Sequence, residues 1–196
     1  MDAHLSPSSG GNTNELASQL VRLLREKGQT LAFCESLSAG LASASIAAIP
    51  GASAVLRGGL VTYATELKMK LAGVPREIVE QFGVVSAECA AAMAQGTQQV
   101  CESDWAVSLT GVAGPEKQDG RPVGEVWIGI AGPPLPEAEA ETKENYHLEN
   151  AMGTIQTFPA FKSEQQVILA EQGRNIIREA AVAESFRLLI QQIECD

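Results

Sequence analysis

The stretch CESLSAG, Cys34 to Gly40, places hydroxyls where an apolar run hands over to an alanine- and serine-rich one. A hydroxyl at a helix start sits among N–H groups without helical partners and at the positive end of the helix dipole. Ser36 there could attack a carbonyl whose oxyanion those donors would hold; equally, Ser36 or Ser38 could do no more than cap the helix. A serine nucleophile needs a base, and the two histidines do not offer one, because His4 lies in the N-terminal tail and His147 on an expected edge strand. Lysine remains. Lys68, in VTYATELKMK, follows an expected strand by one helical turn and could point back to the same sheet edge. An amine kept neutral by desolvation can take a serine proton and pass it to a leaving amine, although a solvated helix position is the commoner fate of a lysine.

Two further segments could bind a ligand. The loop Gly111 to Gly124, GVAGPEKQDGRPVG, has too much glycine and proline for regular structure. Its N–H groups could form a nest for a phosphate or a carbonyl oxygen, or the loop could be a plain long turn. It has neither the ending of a Walker loop nor the layout of a dinucleotide fingerprint. Arg174 and Arg178 lie four apart on one helical face, spaced either to clamp a phosphate or to sit on a solvated, salt-bridged face.

These residues must be carried by alternating strands and helices. Thr13 or Asn14 caps a helix with Leu16, Leu20, Leu23 and Leu24 on one face, ending at Gly28. Thr30 to Cys34 reads as a buried strand, Ser38 to Ile49 as a close-packed helix, and Gly58 to Ala64 as a second strand. Thr65 to Leu71, Pro75 to Gly83 and Ser86 to Cys101 read as helices, followed by strands at Trp105 to Leu109 and Val126 to Ile130. Pro133 to Glu144 reads as exposed, Asn145 to Leu148 as an edge strand, and Gln172 to Gln192 as a long closing helix. Such alternation argues for an α/β sheet covered on both faces, with its active site where strands hand over to helices.

Composition bounds the chemistry. The 196 residues suit one domain, and 45% hydrophobic with only 5% aromatic residues suits an aliphatic core. A net charge of -10 repels polyanions, so no nucleic-acid partner is expected, whereas a small phosphorylated metabolite stays compatible through local charge. Cys34, Cys89, Cys101 and Cys195 are scattered and expected to be reduced, and with two histidines there is little material for a zinc site. No apolar run reaches the roughly 18 residues of a membrane span, so no membrane partner is expected. Residues 1 to 12 read as a disordered polar tail without the layout of a signal, which makes the cytoplasm the expected address.

Taken in order, ESLSAG (Glu35 to Gly40), GGLVTYATELK (Gly58 to Lys68), GVVSAE (Gly83 to Glu88), SLTGVAGP (Ser108 to Pro115) and PVGEVWIG (Pro122 to Gly129) resemble the CinA C-terminal domain family, whose stand-alone members include nicotinamide mononucleotide amidohydrolases. The resemblance spans nearly all of residues 13 to 196, as a single domain. It implies a three-layer α/β/α sandwich with a mixed, mostly parallel sheet, and a Ser/Lys hydrolase needing neither metal nor organic cofactor. By position, Ser36 is the implied nucleophile, Lys68 the base, and Tyr63 a residue that orients or polarises. Implied substrate contacts are Glu35, Ser38, Gly40, Thr110, Gly111, Ala113, Gly114 and Arg174. The implied reaction deamidates nicotinamide mononucleotide to nicotinic acid mononucleotide and ammonia, in a homo-oligomer, most simply a dimer. Leu37, Ser38 and Ala39 stand where the family has Cys, Thr and Gly, and Ala64-Thr65 replaces Ser-Asn. Those departures keep open a non-catalytic nucleotide-binding or regulatory module, or a structural subunit of a larger assembly. Asn150 to Glu171 reads as an insertion able to form a lid, alter specificity or mediate assembly.

Overall fold

The structure, a computed structural model, describes residues 13–133 and 154–195. In chain order its elements are α1 (Thr13–Lys27), β1 (Leu31–Glu35), α2 (Leu41–Ala47), β2 (Leu56–Val61), α3 (Thr65–Ala72), α4 (Arg76–Phe82) and α5 (Ala87–Cys101). Then come β3 (Trp105–Gly111), β4 (Val126–Ala131), β5 (Ile155–Pro159), α6 (Ser163–Gln172) and α7 (Arg174–Cys195). The five strands lie in the order β2-β1-β3-β4-β5. β1 pairs in parallel with both β2 and β3, while β4 is antiparallel to both of its neighbours, so the sheet is mixed and β4 alone is reversed.

The two faces of the sheet are built differently. Strand alternation sends Leu31, Phe33, Trp105, Val107, Leu109, Val126, Ile128 and Ile130 to one face, where α1, α2 and α7 cover them with Leu20, Leu24, Ile46, Phe186 and Leu189. The other face is lined by small residues, among them Ala106, Ser108, Gly129 and Ala131, and carries the alanine-rich α5. Small side chains let that helix sit close: a Cβ on Gly129 would strike the carbonyl of Ala90, which accepts a 2.6 Å hydrogen bond from the Ser108 hydroxyl. α3 packs in turn on α5 at Gly96, where a Cβ would run into the backbone of Ala72.

Chain topology places the site. The β1-to-β2 connection passes through α2 on one face, and the β2-to-β3 connection passes through α3, α4 and α5 on the other. The strands flanking β1 are therefore reached from opposite sides, which opens a crevice beyond its carboxyl end. Ser36 is the first residue past that end, its N–H donating to Leu109 O at 3.0 Å.

Several expected boundaries move. α2 begins at Leu41 rather than Ser38, because residues 36–40 form a turn with Ala39 and Gly40 at positive φ. β2 is Leu56–Val61 rather than Gly58 to Ala64, since parallel pairing with β1 stops at Glu35↔Val61. The expected edge strand at Asn145 to Leu148 and the N-terminal tail lie outside the described residues. The strand observed at the edge beside β4 is β5, and with α6 it comes from the segment expected as an insertion.

Backbone cannot move aside as a flexible side chain can, so Gly96→Ala should cost about 1–3 kcal/mol as an overpacked core site. A thermal melt checks this; a wild-type melting temperature would show that α3 is free to shift on α5.

Candidate active site

The chain leaves β1 at Glu35, turns through Ser36 to Gly40, and enters α2. It leaves β2 at Val61, and three residues later begins α3, whose first turn carries Lys68 back over the end of the sheet. Lys68 Nζ lies 2.9 Å from Ser36 Oγ and donates to Thr62 O at 2.8 Å. Thr62 is tied to β1 on both sides: its N–H donates to Glu35 O at 2.9 Å, and its hydroxyl lies 3.4 Å from Cys34 Sγ.

Lys68 is 2% exposed, and among the described residues no carboxylate forms an ion pair with it. An ammonium has three N–H donors, and only two oxygens stand within reach. A neutral amine fits better, donating to Thr62 O and offering its lone pair to the Ser36 hydroxyl. Burial accordingly holds the Lys68 pKa below the ordinary lysine value. Cys89 and Cys34 are close enough to favour the ammonium if they ionised, but burial pushes the Cys89 thiol up to about 11 and raises that of Cys34. Both are uncharged near pH 7 and provide no counter-ion.

Glu35 takes a different place from the one expected of it. It is fully buried and faces the start of α2, where Oε2 accepts from the N–H groups of Gly40 and Ala42, and Oε1 from the N–H and hydroxyl of Ser43. A carboxylate at a helix start satisfies orphan donors and meets the positive dipole end. The helix amides expected to hold an oxyanion are thereby occupied. The free donors are elsewhere: among the described residues, the N–H groups of Leu37 and Ser38, directly after Ser36, have no acceptor. Ser36 is thus not a helix cap. Ser38 is buried with its hydroxyl unpartnered, and neither Ser38 nor Gly40 lines the pocket beside Ser36.

That pocket, of about 180 Å³, does bring together Ser36, Tyr63, Thr110, Gly111, Ala113, Gly114 and Arg174. Thr110 Oγ1 donates to Val84 O at 2.6 Å, tying the end of β3 to the α4–α5 link. Arg174 Nη1 donates to Gly114 O at 2.6 Å and Nη2 to Tyr63 OH at 2.8 Å, so one guanidinium ties the glycine loop to a tyrosine that is 56% exposed. Arg178 is not in the pocket; it binds the carbonyls of Leu37 and Ser38. Sequence reasoning missed the apolar wall formed by Leu37, Val84, Val85 and Val112, and the polar rim at Glu116 and Gln118. The GVVSAE block carried a signal for two of these, but nothing in its spacing shows that Val84 and Val85 meet the end of β3.

A lysine whose pKa is lower folded than unfolded makes the native state bind fewer protons, so its penalty is full at low pH and fades as pH rises toward about 10.4. Lys68→Met should therefore melt above wild type at pH 7, the gap narrowing toward alkaline pH; a lower melting temperature at pH 7 would mean that the charged amine is well accommodated. Glu35→Ala should lose about 2–4 kcal/mol in denaturant unfolding, because three amides and a hydroxyl lose their acceptor.

Comparison with known proteins agrees with this architecture. A family model described as CinA C-terminal domain matches residues 13–157. A competence-damage inducible protein of Limosilactobacillus fermentum is 52% identical over 116 residues, covering 59% of this chain and 28% of that protein. One from a Geobacillus species is 45% identical over 132 residues, 67% of this chain and 31% of that protein. The chain thus spans under a third of the length of these curated relatives. Among solved structures, a competence/damage inducible protein of Agrobacterium tumefaciens superposes with a TM-score of 0.74 at 27% identity, covering 92% of this chain and 95% of that one.

Proposed function

We propose, from the premise that this chain belongs to the CinA C-terminal domain family, that it is a Ser/Lys amidohydrolase acting on a small heteroaromatic carboxamide, nicotinamide mononucleotide being the first candidate. The observation that carries this reading is the 2.9 Å contact between Ser36 Oγ and a buried Lys68 Nζ that has no counter-ion among the described residues. Solvated surface pairs of serine and lysine do not need such burial, and burial lowers the Lys68 pKa, which raises the share of the neutral, basic amine.

The geometry supports the following steps for this reading. Ser36 Oγ attacks the amide carbonyl while its proton passes to Lys68 Nζ. The negative charge on the carbonyl oxygen falls to the free N–H groups of Leu37 and Ser38. Lys68 returns the proton to the amide nitrogen, ammonia leaves, and an acyl ester remains on Ser36. Water, activated by the same amine, then cleaves the ester to the acid and restores the serine. Leu37, Val84, Val85 and Val112 supply an apolar surface for a planar ring, and among the described residues Arg174 is the one cation on the pocket wall. Its remaining N–H groups suit an anionic group on the substrate. A cytoplasmic setting and a homodimer accord with this reading; among the described residues no helix is long and apolar enough to cross a membrane.

The test is ammonia release from nicotinamide mononucleotide by wild type, Ser36→Ala and Lys68→Ala. Loss of about 10² to 10⁴ in rate is expected for the lysine variant, the scale of general-base removal. Wild-type kcat/KM should rise with pH through the lowered Lys68 pKa, since the neutral amine is the active form. Equal rates in all three proteins would end the hydrolase reading, and saturable nucleotide binding without product would favour a binding or regulatory module.

A further inference from the structure

Arg178 stands one helical turn beyond Arg174 on α7 and reaches the nucleophile turn from behind. Nε donates to Leu37 O at 3.1 Å, Nη2 to Ser38 O at 2.8 Å, and Nη1 to Asn175 Oδ1 at 3.1 Å. The Leu37 carbonyl shares its peptide group with the Ser38 N–H, one of the two amides left without an acceptor. The Ser38 carbonyl shares its peptide group with the Ala39 N–H, which closes the turn onto Ser36 O at 3.2 Å, and it also accepts from the Leu41 N–H at 3.2 Å. Ala39 itself sits at φ 51, a left-handed conformation that an alanine keeps only where its surroundings impose it.

The turn is held by opposite charges at its two kinds of backbone group. Glu35 draws the N–H groups of Gly40, Ala42 and Ser43, and Arg178 draws the carbonyls of Leu37 and Ser38. We propose that Arg178 is a positioning residue that holds Ser36 to Ala39 in the conformation leaving the Leu37 and Ser38 amides free as oxyanion donors. The proposal rests on the hydrolase reading and extends it to a residue outside the pocket. A cation on the Leu37 carbonyl also polarises that peptide, which strengthens its N–H as a donor. The planar fork of an arginine spans two adjacent carbonyls, and a lysine ammonium, a single point of charge, does not.

Arg178→Ala, Arg178→Lys, Ala39→Gly and the double variant Ala39→Gly/Arg178→Ala, each in the full chain, test the proposal by kcat, KM and amide hydrogen exchange. For Arg178→Ala, kcat should fall about 10- to 100-fold with KM little changed, the size of effect that misplaced reacting groups produce. Arg178→Lys should recover little of it. Glycine at position 39 removes the φ penalty, so the loss caused by Arg178→Ala should shrink several-fold in that background. The Ala39 and Leu41 amides should exchange faster in Arg178→Ala while those of β1 keep their protection; if Arg178→Ala does not fold, Arg178→Lys is read by the same two measurements. Unchanged kcat, an equal loss with Ala39 or Gly at position 39, or faster exchange throughout the chain overturns the proposal. If wild type hydrolyses no amide, the hydrolase reading fails, and exchange alone then decides whether Arg178 holds the turn.

Discussion

An amine is buried beside a hydroxyl with no carboxylate among the described residues to keep it charged, and most of the local architecture serves to maintain that contact. Burial keeps water from Lys68 and lowers its pKa, and among the described residues no carboxylate pairs with it. Behind it stand Cys34 and Cys89, whose buried thiols remain protonated near pH 7 and add polarisable bulk without charge. The close approach of α3 to α5 at Gly96 and of α5 to the small-residue face of the sheet brings the amine to the end of β1. A larger side chain at either contact would move the Lys68 amine relative to the Ser36 hydroxyl, and a 2.9 Å hydrogen bond tolerates little displacement.

The sheet supplies the other half of the pair. At β1 the connections diverge to opposite faces, so the strand ends in an open crevice rather than under a helix. The backbone must turn sharply there, and it does so with Ala39 and Gly40 both at positive φ. A left-handed alanine costs about 1–2 kcal/mol, which the buried Glu35 offsets through its four hydrogen bonds at the start of α2. The residue next to Ser36 in sequence thus acts by shaping the backbone, without lining the pocket.

The closing helix completes the site from the far side. Its first turns carry two arginines with different contacts: Arg174 ties the glycine loop to Tyr63 at the pocket wall, and Arg178 binds the turn after Ser36. The core of the same helix, Phe186 and Leu189 among it, anchors in the large-residue face of the sheet. Residues more than a hundred positions apart are fixed relative to one another by that shared core.

The one-dimensional pattern was enough for the alternation of strands and helices and for the α/β class, because strand and helix periodicities are local; Ser36 and Lys68 it offered only as candidates beside a helix cap and a solvated lysine, and the ordered motif blocks picked them out together. It also located the pocket-lining stretch from Thr110 to Gly114 and Arg174, which lie at element ends where the chain type changes. Three things needed the folded chain: the inward turn of Glu35, the work of Arg178 on backbone carbonyls, and the apolar wall from Val84 and Val85. Each depends on which direction a side chain takes and which distant backbone it meets. Spacing along the chain carries no such information, since it is packing between layers that decides whether a buried polar group faces a ligand or another part of the protein.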